Sequence, residues 1–154
     1  MDYQARQNDS VRFGVPVQRE ARTPAATCSA GVSVLLVDDT LDLLRLLRML
    51  FDFHDGVEVL AEAHDGLEAL QLWRVHRPAV VVMDLRMPVM SGLEAAAQML
   101  AEDPGQRIVM FSAAFRQVDY QLADAIGVTR CLDKRDFERL PELVASLALT
   151  AHQV

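Results

Sequence analysis

Acidic side chains follow directly after two short apolar runs in this sequence. Val34–Val37 leads into Asp38 and Asp39, and Ala79–Met83 leads into Asp84. Carboxylates that are held together repel one another and need a cation, and Mg²⁺ prefers such hard oxygen ligands. A carboxylate in such a cluster can also act as a nucleophile and form an aspartyl phosphate. The pattern therefore indicates a Mg²⁺ site in which Asp84 accepts a phosphoryl group.

A hydroxyl and an ammonium follow two later apolar runs, at Ser112 and at Lys134. Phosphoryl transfer needs in-line placement and neutralisation of charge on the equatorial oxygens. Mg²⁺ would neutralise one oxygen and Lys134 a second, while Ser112 and a loop amide would hydrogen-bond the third. The loop after Asp84 borders this position, and we expect the main-chain carbonyl of Arg86 to be a further metal ligand.

Strands and helices are predicted to alternate along the chain, which is typical of an α/β fold with a doubly wound parallel sheet. The predicted strands are Val34–Val37, Val57–Ala61, Ala79–Met83, Arg107–Phe111 and Thr129–Leu132; the predicted helices are Leu41–Phe53, Asp65–Trp73, Ser91–Ala101, Phe115–Ile126 and Pro141–Leu149. The central runs are continuously apolar, as expected for strands that are covered on both faces. Capping boxes are predicted where Asp65 precedes Glu68 and where Ser91 precedes Glu94. In such folds, sites form outside the carboxyl ends of the strands.

The length of 154 residues fits one domain. We expect a polar, flexible tail over residues 1–31, the domain over 32–150 and a short tail over 151–154. The formal net charge of −7 lacks the basic footprint of a protein that binds nucleic acid directly. No stretch predicts a membrane span or a signal sequence, so we expect a cytoplasmic protein. Cys28 and Cys131 are not spaced as zinc ligands, and we expect no disulfide between them.

Four motifs occur in an order that resembles the receiver domain of two-component response regulators, over about residues 33 to 150. They are Val37-Asp38-Asp39, Met83-Asp84-Leu85-Arg86-Met87-Pro88-Val89-Met90-Ser91-Gly92, Phe111-Ser112-Ala113 and Leu132-Asp133-Lys134. The resemblance implies a flavodoxin-like fold of five strands and five helices, and phosphotransfer from a histidine kinase or phosphotransfer protein to Asp84. It also implies Mg²⁺ on Asp38, Asp39, Asp84 and the Arg86 carbonyl, with Ser112 as the switch hydroxyl and Lys134 as the phosphate partner.

Two positions depart from the family pattern. Cys131 stands where the family usually has an aromatic switch residue, and Phe115 and Tyr120 are candidates for taking over that role. Arg135 stands where the family usually has a proline that follows the lysine through a cis peptide. A cis bond before a non-proline residue costs about 2.5–4 kcal/mol. We therefore expect either a trans bond with a rearranged loop or a strained cis bond.

The function predicted is that of a stand-alone, single-domain response regulator, which is not an enzyme beyond its own phosphorylation and dephosphorylation. It would signal through phosphorylation-dependent contact of its fourth helix, fifth strand and fifth helix with an unidentified protein, and homodimerisation is left open. One alternative is an interaction module that acts without phosphorylation. An aspartyl phosphatase would need an aspartate where Thr40 stands, and a flavin protein would need a phosphate-binding loop where Asp38 and Asp39 stand.

Overall fold

The structure, a computed structural model, describes residues 31–149. Its strands are β1 (Val32–Val37), β2 (Val57–Ala63), β3 (Val80–Met83), β4 (Arg107–Ser112) and β5 (Arg130–Asp133). Its helices are α1 (Leu41–Asp52), α2 (Gly66–His76), α3 (Gly92–Glu102), α4 (Gln117–Ile126) and α5 (Leu140–Leu149), with a 3₁₀ helix over Lys134–Arg139. All strand pairs are parallel, in the order β2-β1-β3-β4-β5. The predicted doubly wound, flavodoxin-like fold is confirmed.

The sheet separates two apolar layers. On one face it packs against α2 and α3, where Trp73 and Met99 are completely buried. On the other face it packs against α1 and α5, with Phe51 and Val144 in the interface. All four residues of β3 are buried because this strand is covered on both faces. That explains why its sequence is continuously apolar.

The starts of α2 and α3 follow the predicted capping patterns to different degrees. At α3 the reciprocal capping box is complete: Ser91 Oγ accepts the N–H of Glu94 at 3.3 Å, and Glu94 accepts the N–H of Ser91 at 2.9 Å. At α2, Asp65 accepts the N–H of Glu68 at 2.8 Å. The Glu68 carboxylate, however, accepts the N–H of His64 at 2.7 Å, one residue before the position that a capping box requires. Of the capping box predicted at Asp65, only the bond from the N–H of Glu68 to the Asp65 side chain is therefore present.

The segment from β5 to α5 differs from the sequence prediction, because a 3₁₀ helix begins at Lys134. Asp133 Oδ1 accepts the N–H of Arg135 at 2.8 Å, which caps this helix. A proline at position 135 would lack that N–H. All peptide bonds in residues 31–149 are trans, so the first of the two alternatives for the Lys134–Arg135 bond is correct.

Helix α4 begins at Gln117 and not at Phe115. The Asp119 carboxylate accepts the N–H of Arg116 at 2.8 Å, which fixes Arg116 as the residue before the helix.

No helix within residues 31–149 is long and apolar enough to cross a membrane. The predicted tails, apart from Gly31, and Cys28 lie outside the described residues.

Candidate functional site

The carboxyl ends of β1 and β3 bring two of the predicted site residues together. Directly after these strands, the N–H of Asp84 donates to the carbonyl of Val37 at 2.9 Å, and the N–H of Asp38 donates to the carbonyl of Ala63 at 3.1 Å. These bonds continue the hydrogen bonding of the sheet by one residue. The backbone at both aspartates is therefore fixed by the sheet before any ligand binds.

Asp38, Asp39 and Asp84 form the predicted carboxylate cluster, with one oxygen from each lying within 4.8 Å of the others. Asp38 and Asp84 are buried, with exposed fractions of 1% and 6%, whereas Asp39 is exposed. In an octahedral Mg²⁺ site, opposite ligands are about 4.2 Å apart, which is twice the bond length. The oxygen set is close to this size and is of the type that Mg²⁺ prefers. The three side chains therefore fit one Mg²⁺, and Asp39 leaves the site open to water.

Lys134 supplies the positive charge at this cluster. Its Nζ lies 2.6 Å from Asp38 Oδ2 and 3.3 Å from Asp84 Oδ2. Burial raises the pKa of Asp84, and the charge of Asp38 raises it further, while the Lys134 ammonium opposes this rise. Because Lys134 contacts both buried carboxylates, it offsets part of their repulsion.

Ser112 lies at the last position of β4 and pairs in register with Asp133, the residue before Lys134. It is buried, and its Oγ accepts the N–H of Ala114 at 3.5 Å. That distance is at the long limit for a hydrogen bond. The contact is therefore a weak one, in which the hydroxyl acts as the acceptor.

Gly92 determines how closely α3 approaches the backbone of Asp84, a role that the sequence prediction did not assign to it. A Cβ at this position would lie 2.0 Å from the main-chain oxygen of Asp84. The N–H of Gly92 also donates to the carbonyl of Leu85 at 3.0 Å. Only glycine lets the start of the helix lie against the backbone of Asp84. The Ser-Gly pair that predicts the helix start was the available signal.

The loop from Leu85 to Ser91 contains the predicted metal-ligating carbonyl of Arg86, and that role stays a prediction. A tight turn shapes this loop, because the N–H of Met90 donates to the carbonyl of Pro88 at 2.8 Å and Val89 has a φ of 69°. A positive φ is uncommon for a β-branched residue. The surrounding contacts therefore hold the loop in one defined shape next to Asp84.

Asp119 is a buried carboxylate near the site that the sequence analysis missed. Its oxygens accept bonds from Arg116 Nε at 3.1 Å and Nη2 at 2.9 Å, and Arg86 Nη2 lies 3.6 Å away. The bonds from Arg116 lower the pKa of Asp119 to about 2, and Arg86 contributes in the same direction. Asp119 is the third residue of the observed helix, the position from which a carboxylate can cap the helix start. Because the helix was predicted to begin at Phe115, this capping signal was not recognised.

Cys131, which replaces the usual aromatic switch residue, lies near Phe115 and Tyr120, the two candidates for taking over its role. Cys131 is a free, partly buried cysteine, and burial raises the pKa of its thiol, which makes it a poor nucleophile. The rings of Phe115 and Tyr120 have centroids 4.9 Å apart. Tyr120 and Cys131 also line one open groove between α4 and β5. The structure thus brings both candidate rings to this region, and their role in switching stays a prediction.

This sheet order and this cluster of acidic residues with a lysine define a receiver fold and site. The model of the response regulator receiver domain matches residues 34–145, so the chain belongs to that family of two-component signalling proteins.

Chemotaxis protein CheY of Listeria monocytogenes is 38% identical over 86 residues, which is 56% of this chain and 71% of that protein. Protein-glutamate methylesterase/protein-glutamine glutaminase 3 of Hahella chejuensis is 36% identical over 102 residues, 66% of this chain but only 27% of that protein. A solved LuxR-family response regulator from Aurantimonas sp. SI85-9A1 has a TM-score of 0.73 and 29% identity, covering 78% of this chain and 86% of that chain.

Proposed function

We propose that this chain accepts a phosphoryl group on Asp84 from a histidine kinase or a phosphotransfer protein, with Mg²⁺ bound at the site. The observation that carries the proposal is the contact of Lys134 with both Asp38 and Asp84 at the carboxyl edge of the sheet. This arrangement combines a carboxylate nucleophile, two further metal-ligand carboxylates and a cation. Those are the components that transfer of a phosphoryl group requires.

In the proposed reaction, an oxygen of Asp84 attacks phosphorus and forms a P–O bond, while the bond between phosphorus and the donor nitrogen breaks with its electron pair remaining on the donor. Bound Mg²⁺ would be held by Asp38, Asp39 and Asp84, with the Arg86 carbonyl, and would neutralise charge on a phosphoryl oxygen. Lys134 neutralises a second oxygen, and Ser112 donates a hydrogen bond to the third.

We further propose that the chain acts as a single-domain regulator and is not itself an enzyme of another class. The support is its similarity to a CheY protein, of which it matches 71% of the length at 38% identity. Its output would be phosphorylation-dependent contact of α4, β5 and α5 with a downstream protein. A cytoplasmic location remains a prediction from the sequence.

A second candidate function is an interaction module that keeps the fold but does not depend on phosphorylation. Cys131 and Arg135 favour it, because both replace residues that the family usually uses around the switch. The comparison that separates the two is partner binding by the wild type and by Asp84→Asn, with and without a phosphodonor. Equal affinity in all four measurements would support the second candidate.

The test of the first candidate uses acetyl phosphate and Mg²⁺, with the added phosphate measured by intact mass. We expect an adduct in the wild type and none in Asp84→Asn. A matched control is Asp42→Asn, because Asp42 is an exposed carboxylate on α1 that pairs with Arg45. An adduct that survives Asp84→Asn, or a wild type that gains none, would overturn the proposal.

A further inference from the structure

The side chain of Arg86 connects the loop after β3 to α4. Its Nη2 lies 3.6 Å from Asp119 Oδ2, and within residues 31–149 this is the ion pair that joins these two elements. The Arg86 side chain is 56% exposed, whereas that of Asp119 is 3% exposed. The contact therefore joins a solvated cation, two residues after Asp84, to a buried anion at the start of α4.

Asp119 does not depend on Arg86 for its neutralisation. Arg116 donates to it three times, from its backbone N–H at 2.8 Å, from Nε at 3.1 Å and from Nη2 at 2.9 Å. Loss of the longer contact with Arg86 would leave the buried carboxylate paired. The contact with Arg86 is also long, at 3.6 Å, and solvent around the exposed guanidinium weakens it. The free-energy cost of releasing Arg86 from Asp119 is therefore small.

We propose that Arg86 is a reserve cation for the phosphoryl group: Asp119 holds its guanidinium at the start of α4 until Asp84 is phosphorylated, and the guanidinium then moves to the phosphoryl oxygens. This inference rests on the proposed function. A phosphoryl group carries about −1.5 to −2 charges and three strong acceptor oxygens. Asp119 offers one charge, which Arg116 already shares. The planar fork of arginine suits two phosphoryl oxygens at once.

The move has a consequence for α4, because it removes the ion pair between that helix and the loop. Phosphorylation would then loosen the start of α4 without leaving a buried charge unpaired. Asp119 acts in this scheme as a positioning residue, since it affects the phosphoryl group only through Arg86. If Asp119 merely stabilised the helix, its effect on phosphorylation would not depend on Arg86.

The test measures the fraction of protein phosphorylated at steady state with acetyl phosphate and Mg²⁺. Arg86→Ala should lower the ratio of phosphorylated to unmodified protein about two- to fivefold, the range expected for one exposed ion pair. Asp119→Asn should raise it, because the guanidinium is released earlier. In the double variant the effect of Asp119→Asn should disappear. The control is Arg45→Ala, an exposed arginine that pairs with Asp42 on α1 and should change nothing.

A second readout follows the Arg86 guanidinium directly, through its ¹⁵Nε resonance before and after addition of beryllofluoride, a phosphoryl mimic. We expect this resonance to shift in the wild type when beryllofluoride is added. In Asp119→Asn without beryllofluoride, it should already lie nearer the position that it takes in the beryllofluoride-bound wild type. A phosphorylated wild type with an unchanged Arg86→Ala variant would overturn this inference alone. So would an equal effect of Asp119→Asn with and without Arg86. Absence of phosphate on the wild type and the control would overturn the proposed function and the inference together.

Discussion

The Lys134 ammonium lies 3.3 Å from a carboxylate oxygen of Asp84 and joins it to Asp38, which is 2.6 Å from the same nitrogen. Both carboxylates are buried, so their charges are costly without this cation. The structure thus uses one lysine for two purposes. It offsets part of the repulsion between the two buried carboxylates, and it is the group that we propose neutralises the transferred phosphoryl group.

Replacement of Lys134 by methionine should therefore lower the free energy of unfolding by about 2 kcal/mol in EDTA, since a charged hydrogen bond to buried groups is lost. Saturating Mg²⁺ should reduce this deficit, because the metal supplies positive charge to the same carboxylates. Urea unfolding followed by the fluorescence of Trp73, the single tryptophan, measures both values. Arg135→Ala is the control, because the Arg135 side chain is 86% exposed and should contribute less than about 0.5 kcal/mol. A deficit that Mg²⁺ leaves unchanged would contradict this account.

Gly92→Ala should damage both the fold and the phosphorylation of Asp84. The added methyl group would overlap the main-chain oxygen of Asp84, and overpacking of this kind costs about 1–3 kcal/mol or more. Gly105→Ala is a matched control, because its Cβ would meet only a side-chain oxygen of Asp103 at 3.3 Å. The measurements are the urea midpoint and the yield of phosphorylated protein. If the two variants behave alike, the close approach of α3 to Asp84 is not required for stability or for phosphorylation.

Acid should destabilise the protein partly through Asp119. Its pKa in the folded protein is about 2, below the ordinary aspartate value of 3.8, because Arg116 stabilises the charged form. The unfolded chain therefore binds more protons between about pH 4 and pH 2, and stability falls as the pH is lowered through this range. Asp119→Asn and Arg116→Gln should each flatten this fall, measured as the free energy of unfolding at several pH values. An unchanged slope in both variants would show that the pair does not contribute.

The sequence was sufficient to predict the fold and the cluster, because both depend on local signals that agree. Continuous apolar runs identify the buried strands, and the polar residue after each run must lie at the same edge of a parallel sheet. Ser91 and Glu94 likewise predict a helix start from a local pattern, which the structure confirms.

Features that depend on contacts between distant segments could not be predicted in this way. Arg86 and Asp119 lie in different elements, and only the folded chain brings them within ion-pair distance. The 3₁₀ helix after β5 was missed because Asp133 caps it through the N–H of Arg135, and the local sequence there gives no helical period. The close approach of Gly92 to the backbone of Asp84 also depends on tertiary packing and not on a local pattern.

The central claim is that Asp84 itself forms the acyl phosphate. Borohydride reduces an aspartyl phosphate to homoserine, so treatment of the phosphorylated protein followed by peptide mass mapping identifies the modified residue. We expect homoserine at position 84, only when both Mg²⁺ and a phosphodonor were present. Homoserine at position 38 or 39 instead, or its absence from a phosphorylated sample, would contradict the assignment of Asp84 as the nucleophile.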